Sequence, residues 1–363
     1  MKLEKRLELV KLPPTEEIVT EQELKELLQK KRHPVAYDGF ETSGKLHLGS
    51  GILRAIKLQD MIDAGFKFIL YIADWFAYLN NKLGGDLELI RETGKYYIEG
   101  WKACGVDTSK VEVKWASEVI KDHNYWELFL KISKLVTIKR TLRATTIAGR
   151  TEAEVKNPSL LIYPLMQATD IFHMHIDVCQ LGMDQRKVNM LAREIGPKLG
   201  LWKPIVVSHH LLMGLQGPQR MGKFDENVAI DLQISSKMSK SKPMTCIFIH
   251  DSEEEVNRKV RKAFCPERQV ENNPILEIVK YIIFRKFDTF VVERPKKFGG
   301  IVEYLRYEEV ERDFGEGKLH PLDLKNAVAV YLNKILEPVR RHFEKKRKAA
   351  RLLKIVEKAQ VTR

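Results

Sequence analysis

Two kinds of hydrophobic pattern alternate through the first two thirds of the chain. Short continuous apolar runs are typical of buried strands, and they occur at 34–40, 67–73, 111–116, 176–181 and 204–208. Apolar residues spaced three or four positions apart are typical of amphipathic helices, and they occur at about 51–62, 86–103, 122–147, 164–174 and 185–199. Because strand, helix and strand follow one another repeatedly, the pattern predicts an α/β fold whose parallel sheet is covered by helices on both faces.

The pattern changes on either side of this α/β region. The first thirty residues predict a helical segment in which Thr15 and Thr20 are candidate N-caps. Beyond about residue 250 the strand-like runs stop, and further helices are predicted at 253–263, 274–284 and 321–343. The predicted units are a helical segment 1–33, a sheet domain 34–235, a linker 236–265 and a helical domain 266–363.

One long connection interrupts the sheet domain near its end. The segment 214–236 is polar and contains glycine, and a connection of this length inside a compact domain is typical of a functional loop or lid.

The charge of the chain favours a polyanionic partner. The net charge is +13 and the sequence pI is about 9.3. Ten Lys and Arg residues lie from Arg340 to Arg363, against the two acids Glu344 and Glu357, so this tail carries +8 by itself. Each single cation is typical of a solvated helix end, but the block as a whole resembles an extension that binds a nucleic-acid backbone.

Composition also bears on the compartment. No apolar run reaches the roughly 18 residues that a membrane helix needs, and the N-terminus is too charged for a secretory signal. The four cysteines have no CxxC spacing, so neither a zinc site nor a disulfide framework is indicated. We therefore expect a cytoplasmic protein with no membrane partner.

Two short motifs, about 190 residues apart, carry candidate chemistry. The turn His47-Leu48-Gly49-Ser50 follows a predicted strand and opens a helix, which places an imidazole and backbone N–H groups beside phosphate oxygens. Gly49 lets a nucleotide approach the backbone closely. The polar segment Lys237-Met238-Ser239-Lys240-Ser241 offers two ammonium groups and two hydroxyls. Either motif alone could be an ordinary surface histidine or basic loop, but together they predict ATP chemistry.

These two motifs, in this order, resemble the signatures of class I aminoacyl-tRNA synthetases. Further stretches resemble the archaeal and eukaryotic type of tyrosyl-tRNA synthetase, and the resemblance covers almost the whole chain. The matching stretches are 36–49, 73–80, 163–170, 182–187, 297–300 and 320–328.

The resemblance implies an architecture, a reaction and partners. It implies a Rossmann-like catalytic domain followed by a mainly α-helical anticodon-binding domain. It implies that ATP activates L-tyrosine to tyrosyl-adenylate with release of pyrophosphate, and that tyrosine then passes to the 3′ end of tRNA(Tyr). Mg²⁺ would accompany ATP, with no tightly bound cofactor. A homodimer through the helical region after residue 122 is also implied.

The resemblance further implies roles for individual residues. Tyr37 and Asp170 would hydrogen-bond the phenol of tyrosine, and three side chains would hold its α-amino group: Tyr163, Gln167 and Gln185. The residues implied for ATP are Gly39, His47, Gly49, Lys237, Met238, Ser239, Lys240 and Ser241. Those implied for tRNA are Phe298 and His320, which would stack on the first anticodon base, Asp323, which would hydrogen-bond that base, and Arg186, near the acceptor end.

Several alternatives stay open at this point. A tryptophanyl-tRNA synthetase shares the fold and signatures, and a non-catalytic tRNA-binding relative would keep the scaffold. Isolated nucleotidyltransferases share the turn but lack the helical domain and the basic tail. The chain departs from the family pattern at Ser50, where a second histidine is usual, at Pro243, where glycine is common, and in its long segment 214–236.

Overall fold

The computed structural model describes residues 1–219 and 224–359. Residues 220–223 of the predicted loop 214–236, and the last four residues of the predicted tail, lie outside the described part of the chain.

A six-stranded sheet forms the centre of the molecule. Its strands are β1 Thr15–Val19, β2 Val35–Phe40, β3 Lys67–Ile72, β4 Val111–Trp115, β5 Val178–Gly182 and β6 Ile205–His209. They are arranged in the order β1-β6-β5-β2-β3-β4, and β2 to β6 are all parallel to one another. The predicted α/β fold with a parallel sheet is therefore confirmed, with the chain order reversing between β5 and β2.

Strand β1 is a finding that the sequence did not predict. The segment 1–33 contains two helices, as expected, but residues 15 to 19 between them pair antiparallel with β6. Only Ile18 and Val19 of this strand are apolar, and none of its residues is fully buried, so it has no strand-like hydrophobic run. Its conformation is set by pairing with the edge of the sheet, which a local pattern cannot reveal.

Helices cover the sheet and form most of the remaining chain. Those that precede β5 are α1 Leu3–Lys11, α2 Glu21–Lys30, α3 Arg54–Asp63, α4 Asp74–Leu79, α5 Leu87–Ala103, α6 Ala116–Val119, α7 His123–Leu135, α8 Ile138–Ala144 and α9 Pro158–His173. Those that follow it are α10 Arg186–Ile195, α11 Val228–Ser236, α12 Glu253–Lys262, α13 Pro274–Ile278, α14 Phe284–Lys286, α15 Tyr307–Gly315, α16 Pro321–Lys345 and α17 Arg347–Lys358.

Three predicted segments differ in detail from the structure. The single helix expected at 122–147 is divided into α7 and α8, because Val136 is extended and Thr137 caps the second helix by accepting a hydrogen bond from Arg140 N–H. The connection 214–236 ends in a helix, α11, which Asn227 caps. Beyond residue 250 the strands do not stop completely, since β7 Phe290–Val292 and β8 Val302–Tyr304 form an antiparallel hairpin.

The apolar core runs without a break from the sheet into the C-terminal helices. One buried cluster contains Leu24 of α2, Trp101 of α5, Leu332 of α16 and Leu352 of α17. The other face of the sheet packs on a second cluster, built mainly from α9 and α10. The helical region is thus packed against the sheet domain, and the basic tail forms a helix, α17, that lies along α5.

A buried polar junction also connects the separate parts of the chain. His210, which directly follows β6, has Nδ1 3.0 Å from a carboxylate oxygen of Glu16 in β1 and Nε2 3.0 Å from one of Glu277 in α13. Its ring stacks on Tyr281, with ring centroids 4.4 Å apart. Burial lowers the pKa of His210, but the two carboxylates outweigh it and raise that pKa to about 9.

This junction makes the stability of the fold depend on pH. Because the folded pKa of His210 lies above its ordinary value, the charged imidazole stabilises the fold fully below about pH 6.5, and this contribution is lost as the pH rises through about 9. We expect the free energy of unfolding in urea to fall by about 2–3 kcal/mol more between pH 6 and pH 9.5 in the wild type than in His210→Gln. Parallel curves for the two proteins would show that the ion pairs contribute no net stability.

Candidate active site

A cleft of about 360 Å³ opens at the carboxyl ends of the parallel strands. It lies beside β2 and β5, where the strand order reverses, which is the usual ligand position in such sheets. Every residue that the sequence assigned to ATP or to the amino acid lines this one cleft: Tyr37, Gly39, His47, Gly49, Tyr163, Gln167, Asp170, Gln185, Lys237, Met238, Ser239, Lys240 and Ser241.

The turn that follows β2 holds its imidazole in one defined state. Gly49 N–H donates to His47 Nδ1 at 3.1 Å, so the ring proton lies on Nε2. A Cβ at Gly49 would lie 3.1 Å from His47 Cε1, so glycine is the residue that leaves the ring room. Burial, together with the charges of Lys240 and Lys237, holds the pKa of His47 well below its ordinary value. His47 is therefore a neutral hydrogen-bond donor at pH 7.

Ser50, the departure from the usual signature, has a structural role in the same turn. Its Oγ lies 3.1 Å from the backbone N of His47 and accepts that N–H. The turn then continues as a π-helical turn, Gly49–Leu53, into α3. The serine hydroxyl thus closes the turn that presents His47, and Ser50 itself lines the cleft.

Backbone pairing fixes both ends of the segment 237–241. On the N-terminal side, Met238 N–H donates to Leu212 O at 2.8 Å, directly after β6. On the C-terminal side, Leu48 N–H donates to Ile247 O at 2.9 Å, so the chain returns beside the His47 turn. Met238 is buried, whereas the side chains of Lys237 and Lys240 remain at the cleft. The two sequence motifs are therefore neighbours in space.

The two lysines of this segment already have partners within the cleft. Lys237 pairs with Asp184, which lies between the end of β5 and Gln185. Burial raises the pKa of Asp184, but Lys237 outweighs it, so the carboxylate is charged. Lys240 donates to Tyr97 of α5 and, at 3.2 Å, to Ser43 Oγ.

Another part of the cleft contains polar groups that lack partners. Tyr37 OH, Tyr71 OH and both carboxyl oxygens of Asp170 are fully buried and make no hydrogen bond of good geometry. Burial raises the pKa of Asp170 to about 8, although the phenols of Tyr125 and Tyr71 oppose this rise. Such groups are costly to leave unsatisfied in a folded protein, so their concentration indicates a site that a polar ligand group completes.

Two amides occupy the space between these groups and the nucleotide motifs. Gln167 Nε2 donates to Gln185 Oε1 at 3.3 Å, and Gln185 Nε2 donates to the backbone oxygen of Ile147 at 3.0 Å. Tyr163 is buried beside them, edge to face with Phe76 at a centroid separation of 4.8 Å. Gly39 lines the cleft as well, and its Cβ would meet Tyr71 at an ordinary 3.6 Å, so the protein itself does not require glycine there.

The sequence analysis missed several charged and polar groups of the cleft. Arg54 pairs with Asp38 of β2, and Lys82 Nζ lies 3.7 Å from Glu41 Oε2. Tyr71 was not predicted as a cleft residue. It lies near the carboxyl end of β3, beside β2, and a polar residue at that position could have indicated it. Other missed groups include Asp184, Ser43 and Tyr97, and Tyr97 comes from a helix in which nothing in the local sequence marks a cleft residue.

The residues assigned to tRNA lie away from the cleft. Arg186 forms an ion pair with Glu17 of β1, in which the single Nε–H donates to both carboxylate oxygens, at 3.0 and 2.8 Å. Phe298 is 59% exposed, so its ring is not part of the core. His320, and not Asp323, caps α16, since its Nδ1 accepts a hydrogen bond from Leu322 N–H at 3.2 Å. Asp323 follows in the first turn of that helix.

Metal-ligating clusters and membrane-spanning helices are both absent from the described part of the chain. No group of three or more His, Cys, Asp or Glu side chains between residues 1–219 and 224–359 is arranged to hold a metal ion. No helix within the same ranges is both long and apolar enough to span a membrane.

Comparison with known proteins gives one consistent result. The family model of class I tRNA synthetases (W and Y) matches residues 29–235 and 232–337. The tyrosine–tRNA ligase of Thermococcus sibiricus is 46% identical, and the match covers 100% of both chains. The crystal structure of tyrosyl-tRNA synthetase from Pyrococcus horikoshii, complexed with L-tyrosine, superposes with a TM-score of 0.90 at 44% identity, covering 98% of this chain and 100% of that one.

The tryptophanyl alternative fits less well. The crystal structure of tryptophanyl-tRNA synthetase from Aeropyrum pernix superposes with a TM-score of 0.65 at 20% identity over 94% of this chain and 85% of that one, a likeness that shows a shared fold only. The full-length match at more than 40% identity lies with the tyrosyl enzymes, and the predicted resemblance is confirmed. The chain belongs to the class I aminoacyl-tRNA synthetases, in the family that handles tryptophan and tyrosine.

Proposed function

We infer that the protein is a tyrosine–tRNA ligase, which activates L-tyrosine with ATP and transfers it to tRNA(Tyr). The observation that carries this inference is the set of buried, unpaired groups formed by Tyr37, Tyr71 and Asp170. The phenol of a bound tyrosine substrate can satisfy these groups, because it can donate a hydrogen bond to Asp170 and accept one from the hydroxyl of Tyr37 or Tyr71. Phenylalanine has no group that could do so, and it would leave them desolvated and unpaired.

The amide pair gives the amino acid its orientation. With the phenol at Asp170, the α-amino group of tyrosine would lie near Gln167, Gln185 and Tyr163, whose oxygen atoms can accept its N–H bonds. The α-carboxylate would then face the side of the cleft that holds the two nucleotide motifs. Such positioning, and not a covalent nucleophile of the enzyme, is what an in-line attack on the α-phosphorus of ATP requires.

The nucleotide motifs would stabilise the charge that builds up on the phosphates. His47 offers Nε2–H, and Lys237 and Lys240 offer ammonium groups. Gly39 and Gly49 leave room for the nucleotide against the backbone, while Met238 anchors the segment and Ser239 and Ser241 add hydroxyl donors. Mg²⁺ would enter with ATP as part of the substrate, held by phosphate and water.

Both lysines have to exchange partners when ATP binds. In the structure Lys237 is held by Asp184, and Lys240 is held by Tyr97 and Ser43. A phosphate carries more negative charge than a phenol or a hydroxyl, so Lys240 is the lysine that gains more from the exchange. The flanking backbone pairs would keep the segment in place while these side chains move.

The second step would use the surface of the helical region. We propose that Phe298 and His320 stack on the first anticodon base of tRNA(Tyr), that Asp323 hydrogen-bonds this base, and that Arg186 lies near the acceptor end. The exposed ring of Phe298 and the exposed position of His320 support this proposal, because stacking on an unpaired base requires accessible rings. A cytoplasmic location stays a prediction.

Exchange of pyrophosphate into ATP tests the activation step directly. We expect exchange that depends on tyrosine, with no more than trace exchange when tryptophan or phenylalanine replaces it, because only tyrosine satisfies the buried groups. Exchange with tryptophan alone would overturn the substrate assignment. A protein that exchanges with none of the twenty amino acids, but still binds tRNA, would instead be a non-catalytic relative.

The role of Asp170 can be separated from a purely structural one. Asp170→Asn keeps the size of the side chain but replaces the acceptor of the phenol with an amide. We expect the KM for tyrosine in pyrophosphate exchange to rise by about 10–100-fold and the preference for tyrosine over phenylalanine to fall, with the KM for ATP within about twofold of the wild type. An equal rise in both KM values would mean that Asp170 acts only through the fold.

We further propose that two copies of the chain associate through α7 and α8. These helices expose four large apolar side chains: Trp126, Leu130, Leu135 and Ile138, of which Ile138 is 74% exposed. Apolar side chains that cluster on one exposed surface mark a protein interface more often than isolated ones do.

A charged side chain substituted into the exposed apolar surface of α7 and α8 tests the proposed dimer. We expect Leu130→Glu to sediment as a monomer at micromolar concentration, because it buries a carboxylate in an apolar interface, while the wild type sediments as a dimer. Val330→Glu, at an exposed apolar position on α16, is the matched control and should remain dimeric. If Leu130→Glu sediments as a dimer, the dimer interface does not lie at α7 and α8.

A further inference from the structure

Helix α17 has two faces of opposite character. Ala349, Leu352 and Val356 are buried against the rest of the protein, and the helix packs along α5. On the opposite side four cations are exposed, at spacings of four, three and four residues: Arg347, Arg351, Lys354 and Lys358. Residues at this spacing lie in a line along a helix, and at 1.5 Å per residue the line is about 16 Å long. We call these four residues the outer row.

The basic side chains near the end of the chain differ in their partners. His342, Lys348 and Arg351 reach acids on α5, at 3.2 Å and 3.4 Å from Glu99 and at 3.2 Å from Glu92 respectively. These contacts hold the tail against the catalytic part of the molecule. The other three members of the outer row, Arg347, Lys354 and Lys358, form no ion pair with any residue in the described ranges.

The outer row leads toward the substrate cleft. Ala359, directly after α17, packs against a small buried cluster that includes Ala77, Leu83 and Ile90. Lys82, the neighbour of Leu83, lines the cleft. The row therefore begins where α16 ends, in the helical region, and finishes beside the rim of the site that must receive the 3′ end of a tRNA.

We propose that the outer row binds the phosphate backbone of tRNA next to its 3′ end and guides that end into the cleft. This proposal rests on the function inferred above. Three of the four cations of the outer row have no ion-pair partner among the described residues, and all four lie in a line on a rigid helix. Such a line can bind a polyanion that runs along the surface, since each phosphate contact releases bound counterions. The row offers no aromatic ring or carboxylate for reading bases, so its contacts are to the backbone and independent of sequence.

Charge neutralisation on the outer row, with the fold intact, is the cleanest test. Deleting the tail would uncover the apolar side of α5, so we choose the triple variant Arg347→Gln, Lys354→Gln and Lys358→Gln, which leaves the buried face and the pairs with Glu92 and Glu99 in place. The matched control is Lys30→Gln, Arg32→Gln and Lys67→Gln. These three residues are equally exposed, but they lie at the opposite edge of the sheet, where β2 and β3 begin.

We expect the outer-row variant to raise the KM for tRNA in aminoacylation roughly tenfold and to lower the slope of log KM against log salt by about 2–3, which corresponds to three lost phosphate contacts. Pyrophosphate exchange with tyrosine should be unchanged in both variants. If the tRNA kinetics of the two triple variants agree, the row is an ordinary solvated surface. If exchange falls together with tRNA charging, the helix acts through the structure of the catalytic site and the proposal is wrong.

A direct binding measurement separates this proposal from the assignment of function. Binding of tRNA to filter-retained protein needs no catalysis, so a weaker affinity of the outer-row variant would be seen even if the wild type activated no amino acid. The position on the tRNA is tested by Lys354→Cys, because the four native cysteines are buried and the new thiol alone would take a photoreactive label. Cross-links should map to the acceptor arm, and cross-links confined to the anticodon arm would contradict the orientation.

Discussion

The site depends on backbone pairing between segments that are far apart in sequence. Leu46 to Leu48 pair with 247 to 249, and Leu212 to Gly214 pair with 236 to 238, so the lysine-bearing segment is held at both ends. Side chains alone could not keep two mobile lysines within reach of one imidazole, because each of them loses rotamer entropy on ordering. With its ends fixed to β6 and to the His47 turn, the segment needs to move only its side chains.

The same constraint allows the protein to carry unfavourable groups in the cleft. Asp170 is buried without a hydrogen bond of good geometry and its pKa is about 8, which means that the free protein disfavours its charged form. His47 is kept neutral by burial and by its cationic neighbours. A buried, unpaired Asp170 and a buried, neutral His47 are each costly in a folded protein. Each can be satisfied by a ligand, since a phenol can hydrogen-bond the carboxyl and a phosphate can accept the imidazole N–H. A continuous core that joins the sheet to the helical region supplies the stability that such a site needs.

The parallel sheet could be predicted from the sequence because it depends on local patterns of hydrophobic residues, whereas most of the cleft residues were named from the resemblance to a known family. Tyr37 lies within strand β2 and His47 follows the end of that strand by seven residues, and the carboxyl ends of parallel strands meet at one edge. Strand β1 and Tyr97 were missed for the opposite reason. Strand β1 is extended because β6 offers it an edge, and Tyr97 reaches Lys240 only because α5 packs beside the cleft. Ser50, which the sequence showed only as a departure from the family pattern, closes the turn that orients His47, a role that becomes visible from the position of its hydroxyl.

The distribution of ion pairs decides which substrate experiences the excess positive charge. Within the cleft, Arg54, Lys82 and Lys237 are each matched by a carboxylate, so the field of these three cations largely cancels at a distance, whereas Lys240 is held by a phenol and a hydroxyl. The outer row keeps most of its charge unmatched on an exposed face, where the field reaches about 8 Å into a physiological salt solution. If the outer row binds tRNA as proposed, long-range attraction acts on a polyanion that approaches α17, whereas ATP would be bound by exchange of partners at short range. The unmatched charge of α17 would then serve the large substrate more than the small one.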